Sequence, residues 1–179
     1  IKSVVWILGM KRLESLIKTY YDFPKKGIAF KDLLGIMQDS EVFRELIIKM
    51  SSSEIIESSE AIISIEARGF IFGSAIALQA SKPMIVARKP GKLPGKLIQG
   101  EYSLEYGKNS LSIQKDSLKK FNTYAIVDDL LATGGTVECV TKLIQKKGRD
   151  VSGLVTVVEL LELRGRSKFK FPVESVLSL

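Results

Sequence analysis

The stretch Tyr124-Ala125-Ile126-Val127-Asp128-Asp129-Leu130-Leu131-Ala132-Thr133-Gly134-Gly135-Thr136 decides both the fold and the candidate site. Its apolar start, residues 124–127, is typical of a strand buried in a parallel sheet. Two adjacent acids follow, and burying two like charges side by side is costly. We therefore expect Asp128 and Asp129 to emerge at the carboxyl end of the strand, where open α/β sheets bind ligands.

Residues 132–136, here called the phosphate loop, have the composition of a phosphate-binding turn. Gly134 and Gly135 leave backbone N–H groups unhindered, Thr133 and Thr136 add hydroxyls, and a helix is expected to begin there. Since carboxylates accept hydrogen bonds from sugar hydroxyls, the acids and the loop together describe a site for ribose 5-phosphate. The alternative is a strand-to-helix turn capped by a threonine, which explains neither the paired acids nor the paired glycines. The pattern is neither a Walker A loop nor a GxGxxG fingerprint.

The composition of the chain limits which residue types can carry out catalysis or binding. The chain has 179 residues, which predicts a single domain over residues 1–179 with a substantial core. It contains no histidine, so catalysis must use carboxylates, lysines, arginines and backbone groups. One cysteine, Cys139, fits a reducing compartment, and we expect a cytoplasmic protein. The formal charge of +7 suits an anionic partner, either nucleic acid or a polyphosphate substrate.

Alternating helical and strand patterns predict a parallel-centred α/β fold. Helices are expected at residues 10–20, 40–58, 70–80 and 135–147. Strands are expected at residues 61–65, 84–87, 101–106, 110–114, 151–158 and 173–179. Loops or turns are expected at residues 21–32, 107–109 and 163–166. Residues 1–9 are apolar and fit an alternative start, an expression remnant or a docking strand, whereas a signal peptide fits poorly because Lys2 is the lone positive charge before Met10.

Two cationic segments follow predicted strands. Arg68 comes just after residues 61–65 and just before a helix, a position suited to holding an anion, although a structural pair with Glu66 is an equal alternative. Residues 88–96, here called the basic loop, contain Arg88, Lys89, Lys92 and Lys96 with two prolines and two glycines. Such a loop is expected to be exposed and mobile, and it suits a lid over an anionic ligand. The alternative to a lid is an ordinary solvated hairpin loop.

Residues 124–136 resemble the phosphoribosyl-pyrophosphate motif of type I phosphoribosyltransferases. The resemblance extends over about residues 22–166 and is strongest to the members that use adenine. Its supporting motifs are Asp22-Phe23-Pro24, Gly27-Ile28-Ala29-Phe30-Lys31-Asp32, Glu66-Ala67-Arg68-Gly69-Phe70, Arg88-Lys89-Pro90-Gly91-Lys92-Leu93-Pro94-Gly95 and Tyr102-Ser103-Leu104-Glu105-Tyr106-Gly107. It implies a sheet flanked by helices, a small hood (residues 10–35) and a mobile loop.

The resemblance also implies a role for individual residues. Those implied for phosphoribosyl pyrophosphate are Asp128 and Asp129 at the ribose hydroxyls, Ala132, Thr133, Gly134, Gly135 and Thr136 at the 5-phosphate, and Arg68, Arg88, Lys89 and Lys92 at the pyrophosphate. Those implied for adenine are Ala29, Phe30 and Lys31 on one side and Leu130 and Leu160 on the other. Glu105 is implied to manage the purine proton. A cis peptide is implied between Glu66 and Ala67.

The implied reaction joins adenine to phosphoribosyl pyrophosphate and gives AMP and pyrophosphate, with Mg²⁺ carried mainly by the substrate and no metal held directly by the protein. A homodimer is implied, with no nucleic-acid or membrane partner. Two departures from the family pattern are Ser64, where glycine is common, and Ser112, where an acid is frequent. Two alternatives stay open: transfer to another purine base, and a phosphoribosyl-pyrophosphate-sensing regulator that binds nucleic acid, for which the positive charge is the only support.

Overall fold

The computed structural model describes residues 2–104 and 107–179. Contacts divide the chain into an N-terminal unit, residues 1–48, and a C-terminal unit, residues 49–179. Glu105 and Tyr106 lie outside the described residues. Among the described residues, no helix has the length and apolar character that crossing a membrane requires.

The N-terminal unit contains a helix and an antiparallel hairpin. Its elements are α1 (Lys2–Ser15), β1 (Lys18–Tyr21), β2 (Ala29–Asp32), a 3-10 turn (Leu34–Gln38) and the greater part of α2 (Ser40–Ser51). In the hairpin Lys18 lies opposite Asp32 and Tyr21 lies opposite Ala29. The helix predicted over residues 10–20 is confirmed only as far as Ser15. The loop predicted over residues 21–32 was wrong at its two ends, which belong to β1 and β2.

The helix predicted for residues 40–58 is interrupted. α2 ends at Ser51, and a separate short helix, α3 (Glu54–Glu57), begins after Ser53. The Ser53 hydroxyl accepts a hydrogen bond from the Ile55 amide at 3.1 Å, which makes Ser53 the N-cap of α3. Ser52 donates its hydroxyl to the Lys49 carbonyl at 2.9 Å. Short hydroxyl side chains thus satisfy backbone groups at the break and separate one apolar pattern into two helices.

A parallel five-stranded sheet forms the centre of the C-terminal unit. Its strands are β3 (Ala61–Ile65), β4 (Met84–Ala87), β7 (Thr123–Leu131), β8 (Asp150–Glu159) and β9 (Val173–Ser178), in the order β4-β3-β7-β8-β9. All neighbouring pairs are parallel. The helices α4 (Gly69–Gln79) and α6 (Gly135–Gln145) connect strands of this sheet. The predicted parallel-centred α/β fold is confirmed.

The core explains why the central parts of these strands are largely apolar. Every residue of β3 is buried, and Tyr124 to Val127 of β7 are fully buried. A strand covered on both faces reads as a continuous apolar run, as the sequence predicted. Gly148 follows α6 with φ +64°, as expected of a glycine that ends a helix.

The remaining elements are a two-stranded ribbon and a short helix. β5 (Leu97–Leu104) pairs antiparallel with β6 (Gly107–Gln114), and α5 (Lys115–Leu118) follows them. Asn109 lies opposite Tyr102 and Gly107 opposite Leu104, so the turn predicted at residues 107–109 is wrong and these residues belong to a strand. The connection predicted at residues 163–166 is confirmed: it lies between β8 and β9 and includes parts of two 3-10 turns, Leu161–Leu163 and Gly165–Lys168.

Candidate active site

Four parallel strands end at the same edge of the sheet and bring the predicted phosphate-binding segments together. Glu66 and Arg68 follow β3, Arg88 follows β4, and the acids lie near the end of β7. Leu160 follows β8. The carboxyl edge of a parallel sheet is where ligands of open α/β folds bind, so this edge is the candidate active site.

Both acids lie inside β7, which corrects the prediction that they end the strand. β7 continues to Leu131 because its pairing with β8 continues to Leu131 opposite Glu159. Asp128 is half-buried, and Asp129 is buried, with 7% of the residue's surface exposed. The expectation that neither acid is buried was therefore wrong for Asp129, and a neighbouring cation explains why.

Arg68 and Asp129 form an ion pair near the carboxyl edge of the sheet. Arg68 Nε lies 2.6 Å from Asp129 Oδ2. This oxygen is buried, and among the described residues it accepts no hydrogen bond of suitable direction, so the contact is an ion pair by distance rather than an aligned hydrogen bond. The structure thus pairs Arg68 with Asp129, not with Glu66 as the structural alternative supposed. The guanidinium offsets the cost of burying the Asp129 charge.

Asp128 occupies a tight position next to the first residue of α4. Its Oδ1 accepts a hydrogen bond from the Asp129 amide at 2.9 Å, and a Cβ added to Gly69 would lie 2.8 Å from the same oxygen. Burial raises the pKa of Asp128 well above its ordinary value, and the adjacent Asp129 carboxylate raises it further. A carboxyl at this position can accept hydrogen bonds from a sugar hydroxyl.

Glu66 organises the start of the basic loop. Its carboxylate accepts from Arg88 Nε at 3.3 Å and from the Lys89 amide at 2.7 Å. Burial acts to raise the pKa of Glu66, but the hydrogen bonds from Lys89 and Arg88 outweigh it, so the pKa is lowered and the group stays ionised. Arg88 also lies over the Phe70 ring, 5.8 Å from its centroid. Arg88 is therefore held at the sheet edge by charge, hydrogen bonds and an aromatic face.

The rest of the basic loop is exposed, as predicted. The side chains of Lys89 and Lys92 are exposed, and the Lys92 carbonyl accepts a hydrogen bond from Arg88 Nη1 at 3.2 Å. Gly91 and Gly95 have φ of +76° and +82°, with no atom within 4 Å of an added Cβ. The loop offers cationic side chains to solvent and has space around it.

The phosphate loop has the geometry expected of an anion site. Gly134 adopts φ +81° and directly precedes α6, which starts at Gly135. In the part of the chain that the structure describes, the amide groups of residues 133–136 donate to no backbone or side-chain acceptor. Unpaired amides at the start of an 11-residue helix form a partial positive charge that favours a phosphate.

Comparisons with known proteins agree with this geometry. The family model described as the phosphoribosyl transferase domain matches residues 33–175. The adenine phosphoribosyltransferase of Prochlorococcus marinus strain MIT 9515 is 70% identical over 92% of this chain and 96% of its own length. The adenine phosphoribosyltransferase of Clostridium perfringens strain SM101 is 46% identical over 88% of this chain and 92% of its own length.

The chain belongs to the adenine phosphoribosyltransferase family. It is accordingly a phosphoribosyltransferase, an enzyme of the glycosyltransferase type. Two crystal structures extend the likeness to the fold. The adenine phosphoribosyltransferase of Rhodothermus marinus has a TM-score of 0.90 at 32% identity, covering 97% of this chain and 99% of that chain. The Saccharomyces cerevisiae enzyme, complexed with an imino-altritol bisphosphate and adenine, has a TM-score of 0.85 at 32% identity, covering 96% of this chain and 99% of that chain.

The adenine residues implied by this family lie in both units. In the N-terminal unit Ala29, Phe30 and Lys31 belong to β2; the Phe30 ring meets the Phe23 ring edge-on at 5.2 Å, and Lys31 Nζ donates to Thr19 Oγ1 at 2.9 Å. In the C-terminal unit Leu130 lies opposite Val158, and the Leu160 amide donates to the Leu131 carbonyl at 2.9 Å.

The implied cis peptide between Glu66 and Ala67 is confirmed, and Phe23-Pro24 is also cis. Ser64, a departure from the adenine phosphoribosyltransferase pattern, is fully buried and donates its hydroxyl to the Gly69 carbonyl at 2.7 Å. It thus bridges the two ends of the segment that contains Arg68. Gly73 accommodates it, because a Cβ there would overlap the Ser64 hydroxyl. Ser112 is buried, its backbone pairs with that of Arg88, and its hydroxyl has no hydrogen-bond partner among the described residues.

Sequence reasoning missed two groups beside the phosphate loop. Burial raises the pKa of the Tyr102 hydroxyl, which lies beside the side chains of Thr136 and Asn109. The buried carboxylate of Glu159 accepts hydrogen bonds from Arg166, which lower the pKa of Glu159. Tyr102 stands in a quoted motif, so its position was visible but its partner was not. Nothing in the sequence indicated the pairing of Glu159 with Arg166.

Proposed function

We propose that the chain makes AMP and pyrophosphate from adenine and phosphoribosyl pyrophosphate, in purine salvage, with its substrate bound along the carboxyl edge of the parallel sheet. The observation that carries the proposal is the juxtaposition of the phosphate loop, the Asp128 and Asp129 carboxyls and Arg68 at that edge. Each fits one part of a phosphorylated ribose that bears a diphosphate.

The sugar phosphate is proposed to bind along β7 and α6. The amides of residues 133–136, with the Thr133 and Thr136 hydroxyls, receive the 5-phosphate. Asp128 and Asp129 face the two ribose hydroxyls. Because the loop and both acids are set by one strand and one helix, the reacting carbon is fixed relative to the sheet.

The pyrophosphate is proposed to leave against the cations that follow β3 and β4. Breaking the bond between ribose C1 and pyrophosphate gives an oxocarbenium-like sugar and adds negative charge to the leaving group. Arg68, Arg88, Lys89 and Lys92 stabilise that charge as it develops. Closure of the basic loop excludes water that would otherwise hydrolyse the sugar phosphate.

Adenine is proposed to bind against Ala29, Phe30 and Lys31, with Phe30 stacked on the purine, and against Leu130 and Leu160. The N9 atom attacks ribose C1 as pyrophosphate departs, and its proton must then be removed or relayed. Glu105 is the proposed group for that proton, because a carboxylate is suited to the task and the chain has no histidine. Glu105 lies outside the described residues.

Magnesium is proposed to arrive as part of the substrate complex. Within residues 2–104 and 107–179, no cluster of three or more histidine, cysteine or acidic side chains is arranged to hold a metal. The available carboxylates do not favour a resident ion either, since Asp129 is already paired with Arg68. Mg²⁺ bound to the diphosphate would neutralise part of its charge.

We also propose a cytoplasmic homodimer, in keeping with the single, buried cysteine and with the family resemblance.

A base panel tests the proposal. Purified protein, Mg²⁺ and phosphoribosyl pyrophosphate are mixed separately with adenine, hypoxanthine, guanine and xanthine, and nucleotide formation is followed. We expect AMP from adenine alone. Product from another base would contradict the adenine assignment and leave the sugar-phosphate site intact. No product from any base, with phosphoribosyl pyrophosphate still bound, would favour a regulator.

A further inference from the structure

The turn after β8 packs its backbone directly against the phosphate loop. Gly165 is buried, and a Cβ added to it would overlap the Ala132 carbonyl oxygen and lie 3.1 Å from the Gly134 nitrogen. In the other direction, a Cβ added to Gly134 would lie 3.0 Å from the Gly165 carbonyl oxygen. Two glycines far apart in sequence thus bring two backbones together with no side chain between them.

The turn itself is fixed to the sheet by Arg166. Its Nε donates to Glu159 Oε1 at 3.0 Å, its Nη2 donates to Oε2 of the same carboxylate, and its Nη1 donates to the Val173 carbonyl at 2.5 Å. Glu159 ends β8 and is 2% exposed, and Val173 begins β9. One guanidinium therefore anchors the residue after Gly165 to two strands. Arg166 is exposed, but the Glu159 carboxylate is buried, so losing the guanidinium would leave a buried charge unpaired, and the multiply bonded pair therefore fixes the geometry strongly.

Phe169 supplies a second wall. Its ring lies 3.1 Å from a Cβ added to Gly134, and it stacks on Phe171 with centroids 5.0 Å apart. The side of the phosphate loop that faces the turn is therefore filled by backbone and aromatic atoms. The loop has no room to relax in that direction.

We infer that Gly165, held in place by Arg166, is a positioning residue for the 5-phosphate. The turn backs the phosphate loop, so that the free amides of residues 133–136 keep the spacing that one phosphate needs. The inference rests on the proposed function, since it concerns the same sugar-phosphate site. It requires glycine at position 165 for space alone, because the Gly165 backbone lies outside the left-handed region and alanine would meet no strain of its own.

Gly165→Ala tests this inference with two probes. The protein is titrated with ribose 5-phosphate and, separately, with pyrophosphate and Mg²⁺. We expect Gly165→Ala to weaken ribose 5-phosphate binding about tenfold or more, a loss of about 1.4 kcal/mol, and to change pyrophosphate binding less than about twofold. Gly148→Ala is the matched control, because Gly148 has φ +64° and no atom within 4 Å of an added Cβ. It should lower the melting temperature and leave both affinities unchanged.

Arg166→Lys provides a second variant that keeps a charge opposite Glu159 but loses the paired donors. We expect about threefold weaker ribose 5-phosphate binding and unchanged pyrophosphate binding. Unchanged ribose 5-phosphate affinity in folded Gly165→Ala, or equal loss of both probes, would overturn the inference. If Gly165→Ala does not fold, Arg166→Lys decides by the same criteria. Wild-type protein that binds no ribose 5-phosphate would overturn the proposed function together with the inference.

Discussion

The phosphate loop and the basic loop follow parallel strands at the same sheet edge, yet they are built in opposite ways. Gly134 and Gly95 have almost the same φ, +81° and +82°. Around Gly134 a Cβ would meet Gly165 and Phe169, whereas around Gly95 it would meet nothing within 4 Å. One glycine is required by packing and conformation together, and the other by conformation alone.

This difference matches what each loop is proposed to hold. The 5-phosphate stays on the sugar through the reaction, so a fixed cradle serves substrate and product alike. The pyrophosphate must be covered during transfer and released afterwards, which favours an exposed loop that changes position. We therefore expect a rigid site and an adaptable site to share one edge of the sheet.

The largest expected effect concerns chemistry rather than either loop. Glu105→Gln should lower turnover about 10²-fold or more, because the carboxylate proposed to take the purine proton is lost. Binding of phosphoribosyl pyrophosphate should stay close to normal, since neither loop is altered. Steady-state kinetics with a separate binding titration measure both. Unchanged turnover would remove Glu105 from the mechanism.

The next effect separates the two loops directly. Gly134→Ala adds steric overlap to an unfavourable φ, so we expect ribose 5-phosphate affinity to fall about 10- to 100-fold. Gly95→Ala carries the same unfavourable φ without a clash and serves as the matched control. Its affinity for ribose 5-phosphate should stay within about twofold, although its melting temperature falls. Equal losses in the two variants would show that packing around Gly134 is unimportant.

A smaller effect is expected from the basic loop. Lys89→Gln with Lys92→Gln removes two exposed charges, and we expect pyrophosphate with Mg²⁺ to bind about tenfold more weakly at low salt. The difference from wild type should shrink as salt is added. Ribose 5-phosphate affinity is the internal control and should not change. A loss for ribose 5-phosphate as large as that for pyrophosphate would contradict the division between the loops.

The smallest effect is on stability. Because the folded-state pKa of Asp128 is raised above its unfolded value, the ionised side chain destabilises the fold as pH rises above about 4. Asp128→Asn removes this penalty, and at pH 8 we expect the melting temperature of the ligand-free protein to rise by about 2–4 °C, the shift that about 1 kcal/mol produces at this size. The gain should vanish near pH 3. A gain independent of pH would contradict the raised pKa.

The sequence predicts the centre of the fold well. Residues 61–65, 124–127 and 151–158 are apolar because both faces of the sheet are covered, so composition alone identifies them. The phosphate loop, residues 132–136, could also be predicted from the sequence, because its glycines leave the amides at the start of a helix unhindered.

Contacts between segments that are distant along the chain could not be predicted from the sequence. The spacing of Leu13, Leu16, Ile17 and Tyr20 suggested one continuous helix. In the structure Ile17 precedes β1 and Tyr20 lies within it, in a hairpin whose strand residues are exposed or partly exposed. Asp129 was expected to be exposed because burying two adjacent like charges is costly, and the sequence did not show that Arg68, distant along the chain, would neutralise it. Gly165 gave no signal at all, since its role depends on where another backbone passes. The sequence shows local periodicity and local chemistry. It does not show which distant residue neutralises a buried charge or where two backbone segments approach each other closely.

Hydrogen exchange of the two loops tests the central claim most directly. Peptides covering residues 88–96 and 132–137 are followed in the free protein, with ribose 5-phosphate, and with ribose 5-phosphate plus pyrophosphate and Mg²⁺. We predict that ribose 5-phosphate alone slows exchange only in residues 132–137, and that adding pyrophosphate slows residues 88–96. Slowing of residues 88–96 by ribose 5-phosphate alone, or unchanged exchange in residues 132–137, would contradict the account.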